Sequence, residues 1–210
     1  MQLFNYFRSS ASYRVRIALG LKQLSYDYQA IHLLKNQQQG EPFASQAVAK
    51  LVPLLQDGEA MLSQSMAIIE YLDETHPEPP LLPATALDRA QVRALAQYMV
   101  CEIHPLANLR VLRYLTGEMG VSEEGKTNWI KHWVETGLPV IEARLRAHAG
   151  QFCFGDAPGL ADCALAPLVF TAQRFGCQLE VASELLRVYA NCMALQAFAN
   201  AHPSKCPDAE

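Results

Sequence analysis

Thr75-His76-Pro77-Glu78-Pro79-Pro80-Leu81-Leu82-Pro83 divides this 210-residue chain. Four of its twelve prolines fall here, and proline, lacking a backbone N–H, stops helices and central strands alike. The stretch is expected to be a linker over residues 78–86, separating a domain of residues 1–80 from one of residues 86–210. Charge does not separate the two sides. Six basic residues stand against eight acidic ones before residue 81, and eleven against thirteen after it.

Upstream of the linker the pattern alternates. Gln2–Tyr6 and Tyr26–Ile31 are expected to be strands, and Ser12–Leu21, with apolar residues at 15, 17–19 and 21, a helix. A polar Asn/Gln-rich loop follows at 35–40, and a short helix is expected at 41–49. Leu54–Leu62 predicts a hairpin about Asp57-Gly58, and Met66–Leu72 a further helix. The order β-α-β-α-β-β-α makes the first two strands parallel and adds the hairpin at one edge. Downstream the periodicity is helical: Leu87–Leu115, interrupted at His104-Pro105, then Lys126–Ala149, Asp162–Phe175 and Ser183–Asn200. The expected fold class is an α/β thioredoxin-like domain followed by an all-α helical bundle.

Composition excludes several functions. A net charge of −4 gives no bulk attraction to nucleic acid or anionic lipid. No uncharged apolar run approaches the roughly 18 residues of a membrane span. Met1–Arg8 lacks the basic and apolar blocks of a signal peptide. The six cysteines (101, 153, 163, 177, 192 and 206) match no C-x2-C pattern, and the six histidines form no H-x3-H pair. Buried, reduced thiols, a cytoplasmic location and no metal are expected.

In a thioredoxin-like domain the chemistry lies where the first strand meets the first helix, here Arg8-Ser9-Ser10-Ala11-Ser12-Tyr13-Arg14. A thiol–disulfide oxidoreductase needs a cysteine there, and none is present. Two readings of Ser9 and Ser10 stand: simple helix caps, or hydroxyls that hold a thiolate brought by a ligand. Tyr6 is a rival hydroxyl. Val52-Pro53 either starts a strand with a trans bond or, if cis, presents Val52 to an extended peptide ligand. Gln64-Ser65 opens a helix whose free N–H groups suit a carboxylate, though caps without ligands are commoner.

Ser9–Leu19, Val52-Pro53, Gln64–Leu72, His104–Leu112 and Arg174-Phe175 together resemble zeta-class glutathione transferases over nearly the whole chain. The resemblance implies glutathione as cofactor, with Ser9 and Ser10 at its thiolate. It adds Ala11, Ser12, Arg14, Gln38, Val52, Gln64, Ser65, His104, Asn108, Leu109 and Arg110 as further contacts. Arg8, Arg110 and Arg174 would receive the carboxylates of a small diacid. The implied activity is cis–trans isomerisation of maleyl-type diacids by reversible thiolate addition, maleylacetoacetate to fumarylacetoacetate, in a homodimer. Alternatives are maleylpyruvate as substrate, transfer chemistry on α-haloacids, or a non-catalytic binding module of the same fold.

Three departures from the class pattern stand out. Ala11 occupies a position where many members have cysteine. Ala47-Val48-Ala49-Lys50 replaces the usual Asn-Pro. Gly159-Leu160-Ala161-Asp162 lacks the Ser/Thr of a helix capping box, a loss of only a few tenths of a kcal/mol.

Overall fold

The computed structural model describes residues 1–210. The chain forms two compact units, Met1–Leu81 with Ala194–Glu210, and Leu82–Met193. The final segment, grouped by the sequence with the helical part, thus belongs to the first unit.

In the first unit, β1 (Gln2–Asn5), α1 (Ser10–Leu21), β2 (Asp27–Ala30), α2 (Phe43–Gln46), β3 (Leu54–Asp57), β4 (Ala60–Ser63) and α3 (Ser65–Thr75) follow the expected β-α-β-α-β-β-α order. The sheet runs β2-β1-β3-β4, with β1 parallel to β2 and antiparallel to β3. Asp57 pairs with Ala60, so Gly58 and Glu59 turn the hairpin, and Gly58 takes the left-handed φ of +58° that suits glycine. The polar loop folds as two 3₁₀ turns, Leu33–Lys35 and Gln37–Gln39.

α1 is buried without a break from Ser12 to Leu19. One side meets α3, and the other meets α9 (Gln196–Ala201). Gly20 allows that second contact: a Cβ there would lie 3.2 Å from the Ala197 backbone. The helix expected over 183–200 therefore divides at extended Leu195 into α8 (Ser183–Ala194) and α9. Lys22, just beyond α1, is also buried. Its ammonium binds Asp73 Oδ1 at 2.5 Å and the carbonyls of His76 and Pro79 at 2.7 and 2.6 Å, while the Leu81 N–H donates to the same Asp73 oxygen. Removing one member of such a buried pair typically costs about 3–5 kcal/mol. The proline stretch is thereby fastened to the helices before it.

The second unit contains α4 (Ala86–Gln97), α5 (Leu109–Gly117), α6 (Glu123–His148), α7 (Leu160–Arg174) and nearly all of α8. The long helix expected over 87–115 is interrupted further than His104-Pro105 suggested. A π-helical turn over Tyr98–Ile103 and a 3₁₀ turn over His104–Ala107 separate α4 from α5. Pro105 has no N–H for an α ladder, and Asn108 starts the next helix by accepting the Arg110 N–H at 3.1 Å. At Gly159 no side chain caps the first turn of α7, but Asp162 bonds back to the chain, its carboxylate accepting the N–H groups of Gly159 and Cys153, both at 2.8 Å. No helix is long and apolar enough to cross a membrane.

Glu142, buried on α6, caps the start of α8 by accepting the N–H groups of Glu184 and Leu185 and the Ser183 hydroxyl. Burial alone would raise its pKa, but these N–H groups and Arg146 outweigh it and lower the pKa below the usual glutamate value. A depressed carboxylate pKa stabilises the fold above the unfolded-state pKa, and that contribution is lost as pH falls through the folded-state value. Thermal unfolding should therefore show wild type melting above Glu142→Gln at neutral pH. The gap should shrink progressively below the ordinary glutamate value of 4.5; a pH-independent gap contradicts the assignment.

Candidate functional site

The register of the sheet gathers the sequence-predicted residues of the first unit at one end. Asn5 pairs with Ala30, Phe4 with Leu54, and Leu54 with Ser63. The chain leaving β1 towards Arg8 and Ser9, the chain leaving β2 towards Gln38, the chain entering β3 through Val52, and the chain leaving β4 into Gln64-Ser65 therefore all lie at that end of the strands.

Ser9 is the cap of α1: its Oγ accepts the Ser12 N–H at 3.2 Å, and its own N–H bonds the Tyr6 carbonyl at 3.0 Å. Accepting through Oγ leaves the hydroxyl hydrogen to donate elsewhere. Ser10 is the first residue of α1, and Ser9, Ser10 and Ala11 are half-buried. The next positions, Ser12 and Arg14, are buried. Tyr6, the rival hydroxyl, is buried and accepts from Arg8 through Nε at 3.3 Å and NH2 at 3.0 Å. Arg8 also lies 4.9 Å from the Phe7 ring centroid. The loop thus carries a cation held against two aromatic rings beside a helix start.

The Val52–Pro53 bond is cis. Val52 itself precedes β3 and takes no part in the sheet ladder. Gln64 sits at φ +69° and ψ 112°, a sparsely populated conformation for a residue with a side chain, immediately before α3. Ser65, the first residue of α3, is buried, and Gln64 is exposed. Gln38 is buried and its Oε1 accepts no hydrogen bond from the chain. A buried amide oxygen without a donor is uncommon and calls for a partner.

The remaining candidates belong to the second unit. His104 opens the 3₁₀ turn, Asn108 caps α5, and Leu109 and exposed Arg110 form its first turn. Arg174 is the last residue of a different helix, α7; it is exposed, with its guanidinium 4.9 Å from the Phe175 ring centroid.

None of the six cysteines forms a disulfide. Five are buried as expected, and Cys101 is exposed. Burial pushes the Cys177 thiol up to about 11 and raises those of Cys153 and Cys192 further. Although the sequence places no cysteine before residue 81, Cys206 packs within the first unit against Tyr6, Phe7 and Val52. Burial raises its pKa as well, keeping it a thiol.

Sequence reasoning missed three features here. Arg16 is buried, and its guanidinium bonds Asn5 Oδ1 and the carbonyls of Tyr6, Phe7 and Ala201. The available signal was a second arginine inside an apolar helix. The φ of Gln64 had no signal in the residue type. Nor did the fold-back of residues 206–210 onto this end of the sheet.

Residues 1–74 match the family model of the glutathione S-transferase N-terminal domain, and residues 128–194 that of the C-terminal domain. A probable maleylacetoacetate isomerase of Vibrio cholerae serotype O1 is 46% identical over 209 residues, covering 99% of this chain and 97% of its own. A structure described as holo maleyl pyruvate isomerase, a bacterial glutathione S-transferase of the zeta class, is 42% identical, covers 100% of both chains and superposes with a TM-score of 0.98. A maleylacetoacetate isomerase from Anaeromyxobacter dehalogenans 2CP-1, with dicarboxyethyl glutathione and citrate bound in its active site, is 42% identical, covers 100% of this chain and 93% of its own, and gives a TM-score of 0.89. With both domain models matched in order and full-length relatives at this identity, the chain belongs to the glutathione S-transferase family, in its zeta class.

Proposed function

We propose that this protein is a glutathione-dependent cis–trans isomerase of a maleyl-type diacid, acting on maleylacetoacetate to give fumarylacetoacetate, with maleylpyruvate as the alternative substrate. The observation that carries the reading is Ser9, a capping hydroxyl with a hydrogen left to donate, in a segment from 1 to 81 that contains no cysteine. Cys206, the one cysteine of the first unit, is buried and held as a thiol, so the working thiol there has to come from a ligand.

The residues present fit glutathione. Gln38 Oε1, buried without a donor, suits an N–H of the tripeptide. Val52, outside the ladder, is free to pair with the cysteinyl backbone. The start of α3 at Gln64-Ser65 suits the γ-glutamyl carboxylate. His104, Asn108, Leu109 and Arg110 are assigned as contacts by resemblance to the class. The sulfur end falls to Ser9, Ser10, Ala11, Ser12 and Arg14.

Bound glutathione supplies a thiolate that adds reversibly to the cis double bond, so that the carbon–carbon bond turns as a single bond before the thiolate departs. The Ser9 hydroxyl donates towards the sulfur, and the amino end of α1 adds its dipole, so the anionic sulfur is favoured over the thiol. Resemblance to the class assigns Arg8, Arg110 and Arg174 to the two carboxylates and to the negative charge that develops on the conjugated carbonyl. Arg8 has its guanidinium already oriented by Tyr6. The relative that holds dicarboxyethyl glutathione, a glutathione bearing two added carboxylates, supports a diacid over an α-haloacid.

Three outcomes test the reading. Maleylacetoacetate turnover should require glutathione and leave it unconsumed; turnover without glutathione, or passage straight through a glutathione column, would revive a binding module or another chemistry. Ser9→Ala should lower kcat/KM roughly 100-fold, the scale of losing one preorganised donor, while loss of the cap destabilises by only about 1 kcal/mol. A variant that keeps full activity would move the thiolate role to Ser10. The protein is also proposed to be a cytoplasmic homodimer, supported by cysteines that form no disulfide and by class resemblance. Size-exclusion chromatography should give a dimer, and a monomer at assay concentration refutes it.

A further inference from the structure

The segment Cys206–Glu210 touches every stretch that leaves the sheet towards the proposed glutathione site except the start of α3. Asp208 Oδ2 accepts the Phe7 N–H at 3.2 Å, and Oδ1 accepts the Tyr28 hydroxyl. Glu210 Oε1 lies 3.0 Å from His32 Nε2 and 3.3 Å from Lys35 Nζ. His32 Nδ1 accepts the Lys35 N–H at 3.3 Å, so Nε2 carries the proton given to Glu210. The His32 N–H in turn donates to Gln37 Oε1 at 2.7 Å, in the turn that carries Gln38. Cys206 seats the segment in the apolar cluster with Tyr6, Phe7, Phe43 and Val52.

The two peptide groups flanking the Phe7 Cα are therefore both held, the Phe7 carbonyl by Arg16 Nη2 at 2.9 Å and the Phe7 N–H by Asp208. Two residues later comes Ser9. We propose that residues 206–210 form a strap that holds the Ser9 and Gln38 loops in the glutathione-binding conformation, with Asp208 as the positioning residue. This rests on the glutathione reading above. Asp208 has no proposed contact with glutathione; it acts through the Phe7 amide. Ordering a loop beforehand removes that entropy loss from the binding step. The strap should thus appear in affinity for glutathione and barely in the turnover of the saturated enzyme.

The test uses the full chain as wild type, Asp208→Ala and Asp208→Asn, assayed against varied glutathione. A hydrogen bond to a charged partner corresponds to roughly a tenfold effect or more, so Asp208→Ala should raise the KM for glutathione about tenfold and leave kcat within about twofold. Asp208→Asn should restore KM to within about threefold, because its amide oxygen still accepts from Phe7 and its NH2 faces Tyr28. An unchanged KM in Asp208→Ala, or a fall in kcat with KM unmoved, overturns the strap. Should Asp208→Ala fail to fold, linkage gives a second measurement on wild type: a strap that favours glutathione must be favoured by it. Amide exchange across 206–210 should slow on adding glutathione, and unchanged exchange refutes the proposal. Wild type that binds no glutathione overturns the function and the strap together, whereas wild-type binding matched by Asp208→Ala overturns the strap alone.

Discussion

The first unit depends on a buried guanidinium. Arg16 is 2% exposed and has no carboxylate partner; its positive charge is met by oxygens of Asn5, Tyr6, Phe7 and Ala201. A buried charge is tolerable only when its donors are satisfied, and these acceptors fix where β1 ends and how the chain turns into α1. Helix α1 thus carries both the serine cap at its start and, about two turns on, the cation that shapes the loop leading to that cap. The geometry of the site is built into the helix it precedes.

What the sequence revealed, and what it hid, follows from the range of the interactions. The two strands, the hairpin about Gly58 and the helices from Ser10 and Ser65 are set by local patterns, and parallel pairing of β1 with β2 follows from their connection. Ser9, Val52 and Ser65 were legible for the same reason, since helix starts and residues before proline announce themselves. Gln38 came through family resemblance alone, because a polar loop reads as solvated and its burial comes from tertiary packing. The π turn over Tyr98–Ile103 and the break at Leu195 likewise answer to neighbours: Ile103 presses on α6 where Gly137 has no side chain, and α9 leaves α8 to reach Gly20. His104, Arg110 and Arg174 are proposed through family resemblance and not through any local signal.

The departures at Gly159 and Ala11 illustrate how a fold absorbs substitution. Asp162 ties the start of α7 to the loop before it by accepting the N–H groups of Gly159 and Cys153, without a Ser or Thr at the cap. Burial raises its pKa while the N–H groups of Cys153 and Gly159 oppose that rise. The nearby thiols of Cys153 and Cys192 are held protonated by burial and by Asp162 itself. The buried cysteines are therefore poor nucleophiles, and the absence of cysteine at position 11 leaves the proposed site dependent on a thiol from outside the chain.

Because the first unit is closed by residues 194–210, its connectivity is discontinuous: the helical unit lies between two parts of one fold. Chain synthesis proceeds from the amino end, so Ala201, Asp208 and Glu210 leave the ribosome only after the whole of the second unit. Until then Arg16 lacks one of its acceptors and the Phe7 N–H lacks its carboxylate. The nascent protein can assemble its sheet early, yet the loop that bears Ser9 reaches its fastening only once residues 201–208 have followed the second unit out of the ribosome.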